Sequence, residues 1–124
     1  MKQVWIVDDD EEMSRAVRLM VKLLDGETTA FMNARAAAQA VIDGRCPDLF
    51  ILDINMPEVT GLDLLEFLRR RATTKNLPVV MLSTEASDVM IDRAKALGAD
   101  AYVSKPVTIE ELERAINNAF AKRK

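Results

Sequence analysis

The stretch that most limits how this chain can fold is an uninterrupted apolar run that ends in an acid, Leu49-Phe50-Ile51-Leu52-Asp53. An apolar run without polar alternation is typical of a strand buried on both faces, as in a parallel sheet covered by helices. Asp53 then lies at the carboxyl end of that strand, where open α/β sheets place their chemistry. Pro57 and Gly61 follow, which predicts a turn and then a helix. On this stretch alone, Asp53 could also be a turn or N-cap residue.

In the rest of the chain, predicted strands alternate with predicted helices in the same way. Short apolar or β-branched runs predict strands over residues 4–7, 27–31, 49–52, 79–82 and 101–103. Apolar residues at helical spacing predict helices over residues 13–24, 36–42, 62–68, 90–97 and 112–120. This alternation indicates an α/β fold with one parallel sheet, helices on both faces and right-handed crossovers. We expect residues 1–124 to form a single domain.

Local signals mark where these helices begin and end. Asn33, then Ser87 or Asp88, are expected N-caps, and Thr108 with Glu111 predicts a capping box for the last helix. The expected stops are glycines, namely Gly26, Gly44 and Gly98.

Composition excludes several classes of site. The chain has no histidine and one cysteine, Cys46, so histidine-dependent triads, cysteine metal clusters and internal disulfides are ruled out. Seventeen basic and twenty acidic residues give a net charge of -3, which offers no reason to expect direct nucleic-acid binding. The basic clusters at residues 69–71 and 122–124 lie near helix ends, where cations complement the helix dipole. Without a signal peptide or a transmembrane run, the expected location is the cytoplasm.

Reactive side chains follow four of the five predicted strands. Asp8 and Asp9 follow the first, Asp53 ends the third, Ser83 follows the fourth and Lys105 follows the fifth. They can meet at one edge only if those four strands are neighbours, which leaves the second strand outermost. The strand order 2-1-3-4-5 satisfies both demands and is that of flavodoxin-like, doubly wound (βα)5 folds.

The chemistry of that edge follows from its charges. Three carboxylates held close together raise one another's pKa and call for a cation. All-oxygen ligands favour a hard ion, so the expected cofactor is Mg²⁺, with Mn²⁺ possible. Asp53, on the most central strand, is the best-placed nucleophile and could attack phosphorus to form an acyl phosphate. Lys105 would neutralise the added charge, and Ser83 could donate to a phosphoryl oxygen.

The chain also resembles the receiver domain of two-component response regulators. The motifs that carry the resemblance are Val7-Asp8-Asp9, Leu52-Asp53-Ile54-Asn55-Met56-Pro57 with Gly61, Met81-Leu82-Ser83, Gly98-Ala99 with Tyr102, and Lys105-Pro106. Each motif alone is common, but their order and spacing across the whole chain are highly specific.

The resemblance implies a role for each acid. Asp53 matches the phospho-accepting aspartate of the family. Asp9 and Asp53 match the magnesium carboxylates, and the backbone carbonyl of Asn55 matches a third protein ligand. Asp8 matches an outer acid that acts on the metal mostly through water.

The resemblance also implies a switch and partners. Ser83 matches the hydroxyl residue that turns toward the phosphoryl group, Lys105 the lysine that pairs with it, and Tyr102 the aromatic that shifts inward. The changed surface would lie on the fourth helix, fifth strand and fifth helix. The implied donor is a sensor histidine kinase or histidine phosphotransfer protein, and the implied target is a partner protein or attached output domain. Both a monomer and a phosphorylation-dependent dimer fit the pattern.

Three other functions fit parts of the sequence. A haloacid-dehalogenase-like phosphatase uses a similar set of residues, but it needs an acid where this chain has Asn55. A flavodoxin-like cofactor binder needs a phosphate cradle after the first strand, where residues 8–12 are all acidic. A receiver-shaped interaction module that is never phosphorylated would not need the complete acidic and lysine set.

Overall fold

Five strands alternate with five helices in a computed structural model that describes residues 2–85 and 87–123. The strands are β1 (Gln3–Val7), β2 (Glu27–Phe31), β3 (Leu49–Asp53), β4 (Val79–Ser83) and β5 (Ala101–Ser104). The helices are α1 (Glu11–Leu23), α2 (Ala34–Ile42), α3 (Gly61–Arg69), α4 (Asp88–Ala96) and α5 (Ile109–Lys122). Within the described ranges, no helix combines the length and the apolar character that crossing a bilayer requires.

The strands form one parallel sheet in the order β2-β1-β3-β4-β5, which confirms the predicted order. β3 lies at the centre and β2 at one edge. All five residues of β3 and of β4 are buried, whereas four of the five residues of β2 are half-buried and the fifth is exposed. The uninterrupted apolar runs therefore belong to strands covered on both faces, as the sequence predicts.

Two apolar cores flank the sheet, because successive side chains of each strand point to opposite faces. Phe50 and Leu52 of β3 pack in the core formed with α2, α3 and α4. Leu49 and Ile51 pack in the core formed with α1 and α5. Burial of these apolar side chains, each worth about 1.5–3 kcal/mol, is the main force that fixes the strand order and brings the strand ends together.

The helix starts match the predicted caps and add two more. Asn33, Ser87 and Thr108 cap α2, α4 and α5, and the Thr108–Glu111 capping box is present. Asp10 caps α1 by accepting a hydrogen bond from the backbone of Met13. A second capping box, between Thr60 and Asp63, begins α3. That box also fixes where the loop after Asp53 ends.

The end of α1 differs from the prediction. The helix ends at Leu23, and the left-handed backbone conformation is taken by Asp25, at φ 68°, and not by Gly26. Gly26 is needed for a different reason, since a Cβ there would lie 2.6 Å from a methyl carbon of Val21. Gly44 and Gly98 do follow α2 and α4 in left-handed conformations, as predicted.

The two basic clusters do more than complement helix dipoles. Arg69, with a side chain only 12% exposed, donates hydrogen bonds to the carbonyls of Leu77 and Gly98 and pairs with buried Asp100 at 3.0 Å. Arg123 pairs with the other carboxylate oxygen of Asp100 at 2.8 Å. These contacts join the end of α5 to the base of the sheet, and Lys124 lies outside the described residues.

Candidate functional site

The predicted site residues lie together at the carboxyl edge of the sheet. Asp53 and Ser83 are the last residues of β3 and β4, Asp8 and Asp9 follow β1, and Lys105 follows β5. Because β1, β3, β4 and β5 are consecutive neighbours in the sheet, their ends form one continuous rim.

Lys105 bridges two of the acids. Its Nζ lies 3.1 Å from an oxygen of Asp8 and 3.1 Å from an oxygen of Asp53. The Lys105 side chain is only 9% exposed, and both carboxylates are almost fully buried. A charged group this deeply buried requires partners, so Lys105 depends on Asp8 and Asp53 to remain cationic.

Three acids lie close enough to share a cation. Asp8, Asp9 and Asp53 each have a carboxylate oxygen within 4.8 Å of the others, with Asp9 exposed on the outer side. One oxygen of Asp8 already accepts a hydrogen bond from the backbone N–H of Asp10 at 2.9 Å, while its other oxygen faces Lys105. A set of carboxylate oxygens without nitrogen or sulfur ligands fits a hard divalent ion such as Mg²⁺.

The groups around Asp53 have opposite effects on its pKa. Burial, followed by the charge of Asp8, raises the pKa of Asp53 to about 6, although Lys105 acts in the opposite direction. Burial alone would lower the pKa of Lys105, but hydrogen bonds to Asp8 and Asp53 and their charges raise it instead. At neutral pH, Asp53 is therefore mostly ionised and able to act as a nucleophile, and Lys105 stays cationic.

Asn55 makes a contact that the sequence did not predict. Its side-chain amide donates a hydrogen bond to Ser83 Oγ at 3.4 Å, which links the β3–α3 loop to the end of β4. The predicted role of its backbone carbonyl as a metal ligand stays a prediction.

Ser83 and Tyr102 are linked through a single residue. Ser83 Oγ accepts a hydrogen bond from the backbone N–H of Glu85 at 3.0 Å. The Tyr102 hydroxyl donates to the backbone carbonyl of the same Glu85 at 2.7 Å. Ser83 is fully buried and Tyr102 is half-buried, so this link runs from the interior of the site toward the surface.

Sequence reasoning missed the contacts that the main chain makes. The backbone of Asp10 orients Asp8, and the backbone of Glu85 joins Ser83 to Tyr102. Every residue type except proline offers the same N–H and C=O groups, so no residue pattern reports such contacts. The nearest signal in the sequence is position, because Asp10 lies two residues after Asp8 and Glu85 lies two residues after Ser83.

Comparison with known proteins agrees with this geometry. The profile of the family described as "Response regulator receiver domain" matches residues 4–117. The chain belongs to this family. It is 33% identical over 118 residues to the chemotaxis protein CheY of Pseudomonas aeruginosa, covering 95% of both chains. It is 34% identical over 110 residues to the phosphate regulon transcriptional regulatory protein PhoB of Rhizobium meliloti, covering 89% of this chain but 48% of that one.

Solved structures of similar proteins share this fold over nearly the whole chain. A putative response regulator from Chloroflexus aurantiacus superposes with a TM-score of 0.90 at 28% identity, covering 97% of this chain and 98% of that one. The chemotaxis protein CheY4 of Vibrio cholerae superposes with a TM-score of 0.88, also at 28% identity, covering 96% and 98% of the two chains.

Membership of this family fixes the general function. Receiver domains are signalling modules of two-component systems and are not turnover enzymes, so the phosphatase alternative no longer applies. They accept signals from a kinase or phosphotransfer donor, act on output partners and bind Mg²⁺ at an acidic pocket. This chain carries such an acidic cluster in Asp8, Asp9 and Asp53.

Proposed function

We propose that this chain is a switch that is turned on when Asp53 accepts a phosphoryl group from a histidine kinase or a histidine phosphotransfer protein. The observation that carries the proposal is the bridge from Lys105 to both Asp8 and Asp53, at 3.1 Å each, beside a third acid. Such a bridge supplies a buried nucleophile and a fixed cation in one place.

Asp8, Asp9, Asp53 and the backbone carbonyl of Asn55 are the groups that would hold Mg²⁺, and Mn²⁺ fits the same oxygen ligands. The bound ion would neutralise charge on the incoming phosphoryl group. The fit rests on the three carboxylates that meet within 4.8 Å. Burial and the charge of Asp8 together outweigh the effect of Lys105, so the pKa of Asp53 remains raised and a bound cation would favour its ionised form.

In the transfer step, a carboxylate oxygen of Asp53 attacks the phosphorus of the donor. The new O–P bond forms as the P–N bond to the donor imidazole breaks, and the imidazole leaves with the electron pair. Lys105, already 3.1 Å from Asp53, pairs with the new phosphoryl oxygens. The phosphoryl group of the product carries about two negative charges, so Lys105 has more negative charge to neutralise than before the transfer.

The output step begins at Ser83. Its Oγ now accepts a hydrogen bond from the backbone N–H of Glu85, and a turn of this hydroxyl toward the phosphoryl group would change that contact. Glu85 also holds the Tyr102 hydroxyl through its carbonyl, so a shift of this residue moves Tyr102 and the surface formed by α4, β5 and α5. A partner protein or attached output domain that binds one form better then shifts the population.

Residues 1–124 act as one receiver domain, in the cytoplasm, as a monomer or a phosphorylation-dependent dimer. This domain itself makes no direct contact with nucleic acid or membrane.

The experiment is phosphorylation with acetyl phosphate and Mg²⁺, followed by intact-mass measurement. Wild type should gain the mass of one phosphoryl group, and Asp53→Asn should gain none. Asp92→Asn, which removes an exposed acid of α4, is the matched control and should behave as wild type. Equal uptake by wild type and Asp53→Asn would reject Asp53 as the acceptor.

A further inference from the structure

A small cavity of about 190 Å³ lies between α1 and α5, at the amino-terminal edge of the sheet. Its apolar lining comes from the two helices, the C-cap of α1 and the starts of β1 and β3, namely Val4, Val21, Leu24, Leu49, Ile116 and Phe120. Asp53 ends β3 and therefore lies at the opposite edge of the same sheet. The cavity is thus separate from the candidate functional site.

The size of the cavity limits what it can hold. Gly26 forms part of the wall, and a Cβ there would lie 2.6 Å from Val21 Cγ1 and 3.6 Å from Val4 Cγ2, so a larger residue would press on two lining side chains. An apolar cavity of about 150 Å³ can hold a molecule the size of benzene, whereas drug-sized ligands occupy about 300–1,000 Å³. A volume of about 190 Å³ therefore fits one branched aliphatic or aromatic group.

Three polar side chains border this apolar space, and two of them carry opposite charges. Lys2, Glu113 and Asn117 line the cavity, and all three residues are exposed. Lys2 Nζ lies 4.6 Å from the centroid of the Phe120 ring, a cation–π contact that places the ammonium beside the apolar wall. Glu113, Asn117 and Phe120 share one face of α5, because they follow one another at spacings of four and three residues.

The two charges do not neutralise each other. Within residues 2–85 and 87–123, neither Lys2 nor Glu113 takes part in an ion pair. A ligand with one charge would gain one attraction and one repulsion at this border, whereas a ligand with both charges would gain two attractions. The border therefore favours a zwitterion, and the apolar lining favours one with an apolar side chain.

We propose that this cavity binds a small apolar α-amino acid such as free leucine. The carboxylate of the ligand pairs with Lys2, its ammonium pairs with Glu113, and its side chain enters the space between α1 and α5. The amide of Asn117 offers a donor to the carboxylate and an acceptor to the ammonium. Such a site gives the chain a small-molecule input that does not depend on Asp53 accepting a phosphoryl group.

The test titrates the full chain with four probes and follows backbone NMR shifts. Free leucine is compared with 4-methylpentanoate, which lacks the ammonium, with 3-methylbutylamine, which lacks the carboxylate, and with free glycine, which lacks the side chain. Leucine should bind with a dissociation constant on the order of 1 mM and shift the signals of Leu24, Gly26 and Asn117. The other three probes should bind at least about threefold more weakly, since each lacks one of the three contacts.

Variants at the border test each charge separately. Lys2→Gln should weaken leucine by about threefold or more and leave 3-methylbutylamine no weaker, whereas Glu113→Gln should weaken leucine and leave 4-methylpentanoate no weaker. Glu110→Gln, on the same helix, and Lys75→Gln are the matched controls, because both residues are exposed and neither lines the cavity. Both controls should bind leucine as wild type does. All four changes are at exposed positions, and the unfolding midpoint of each variant checks that it is folded.

Several results would overturn the proposal. They are the absence of leucine-induced shifts at these residues, binding of 4-methylpentanoate or 3-methylbutylamine as tight as that of leucine, and equal leucine affinity of wild type, Lys2→Gln and Glu113→Gln. Sedimentation of the same samples adds another, since a dimer that closes the cavity to leucine would assign it to a second copy of the chain. Phosphoryl uptake is measured separately by mass. If Asp53 takes up no phosphoryl group while leucine binds as described, the proposed function fails and the amino-acid site stands.

Discussion

Gly61 lies so close to Asp53 that a methyl group at position 61 would overlap the Asp53 carbonyl oxygen. The same methyl group would also approach the backbone of Ile54 to 2.9 Å. The first residue of α3 therefore packs directly on the end of β3, the strand that carries Asp53. This contact makes the position of the site depend on a residue that has no reactive group.

Gly61→Ala should destabilise the fold by about 1–3 kcal/mol, because the obstacle is backbone and cannot rotate away. Urea unfolding measures the loss, and phosphoryl uptake on Asp53 should slow as the end of β3 shifts. Gly44→Ala is the control, since Gly44 is left-handed, at φ 93°, but has open space around it. Gly44→Ala should lower the free energy of unfolding by about 1–2 kcal/mol through backbone strain alone and leave phosphoryl uptake on Asp53 unchanged. Unchanged stability of Gly61→Ala would contradict the steric argument.

Much of this arrangement could be predicted because it depends on periodicity. The apolar runs of β3 and β4 predict burial on both faces, and acids after the strands predict a common rim. The predicted strand order and the meeting of Asp8, Asp53 and Lys105 follow from these two patterns together.

The remainder depends on distances that no residue pattern encodes. Arg69 and Arg70 are adjacent and identical in type, yet Arg69 is buried against Asp100 while Arg70 pairs with Glu66 on the surface. Helix spacing alone gives no reason to treat the two arginines differently, and it predicts that both complement the helix dipole. Their surroundings separate them, because Arg69 lies against the carbonyl of Leu77 before β4 and against that of Gly98 in the α4–β5 turn.

Asp100→Ala should therefore cost about 3–5 kcal/mol in the free energy of unfolding, because it leaves the largely buried Arg69 and the partly buried Arg123 without their acid. Arg70→Ala should cost less than about 1 kcal/mol, since its ion pair is exposed. Asp100→Asn keeps an acceptor for the backbone N–H of Val79, so its loss of stability should lie between those of Asp100→Ala and Arg70→Ala. Urea unfolding of the three variants gives the ranking, and equal losses for Asp100→Ala and Arg70→Ala would refute it.

The stability of the metal-free protein should depend on pH through Asp53. Burial and the charge of Asp8 raise the pKa of this carboxyl from 3.8 to about 6. The folded state then binds a proton that the unfolded chain releases, so this contribution is fully present below about pH 4 and is lost as pH rises through about 6. In the presence of a chelator, Asp53→Asn should be more stable than wild type at neutral pH by on the order of 1 kcal/mol.

Urea unfolding of both proteins across this pH range provides the measurement. The advantage of Asp53→Asn should shrink toward about pH 4, where the carboxyl of Asp53 is protonated in wild type as well. Asp92→Asn should show no such trend. A constant difference between wild type and Asp53→Asn at every pH would show that the Asp53 carboxyl does not titrate as described.

Mg²⁺ should stabilise wild type through the three acids. A ligand that binds only the folded state raises its stability as the ligand concentration exceeds the dissociation constant. Asp9→Asn removes one carboxylate, so it should weaken Mg²⁺ binding by about tenfold or more and reduce the Mg²⁺-induced rise in the unfolding midpoint. Because Asp9 is exposed, the variant should be at least as stable as wild type without Mg²⁺. Asp92→Asn should respond to Mg²⁺ as wild type does, and an unchanged response of Asp9→Asn would exclude Asp9 as a ligand.

The link from Ser83 to Tyr102 through Glu85 should appear as an energetic coupling in the unphosphorylated protein. Tyr102→Phe removes the hydrogen bond to the Glu85 carbonyl and should cost about 1 kcal/mol. Ser83→Ala removes the acceptor for the Glu85 N–H, which loosens the same segment. The two losses should therefore differ from additivity by about 0.5–1 kcal/mol in a double-mutant cycle.

The control cycle pairs Tyr102→Phe with Asn33→Ala, which removes the cap of α2 and shares no partner with Tyr102, so its losses should add. Strict additivity in the Ser83–Tyr102 cycle would mean that Glu85 transmits nothing between them.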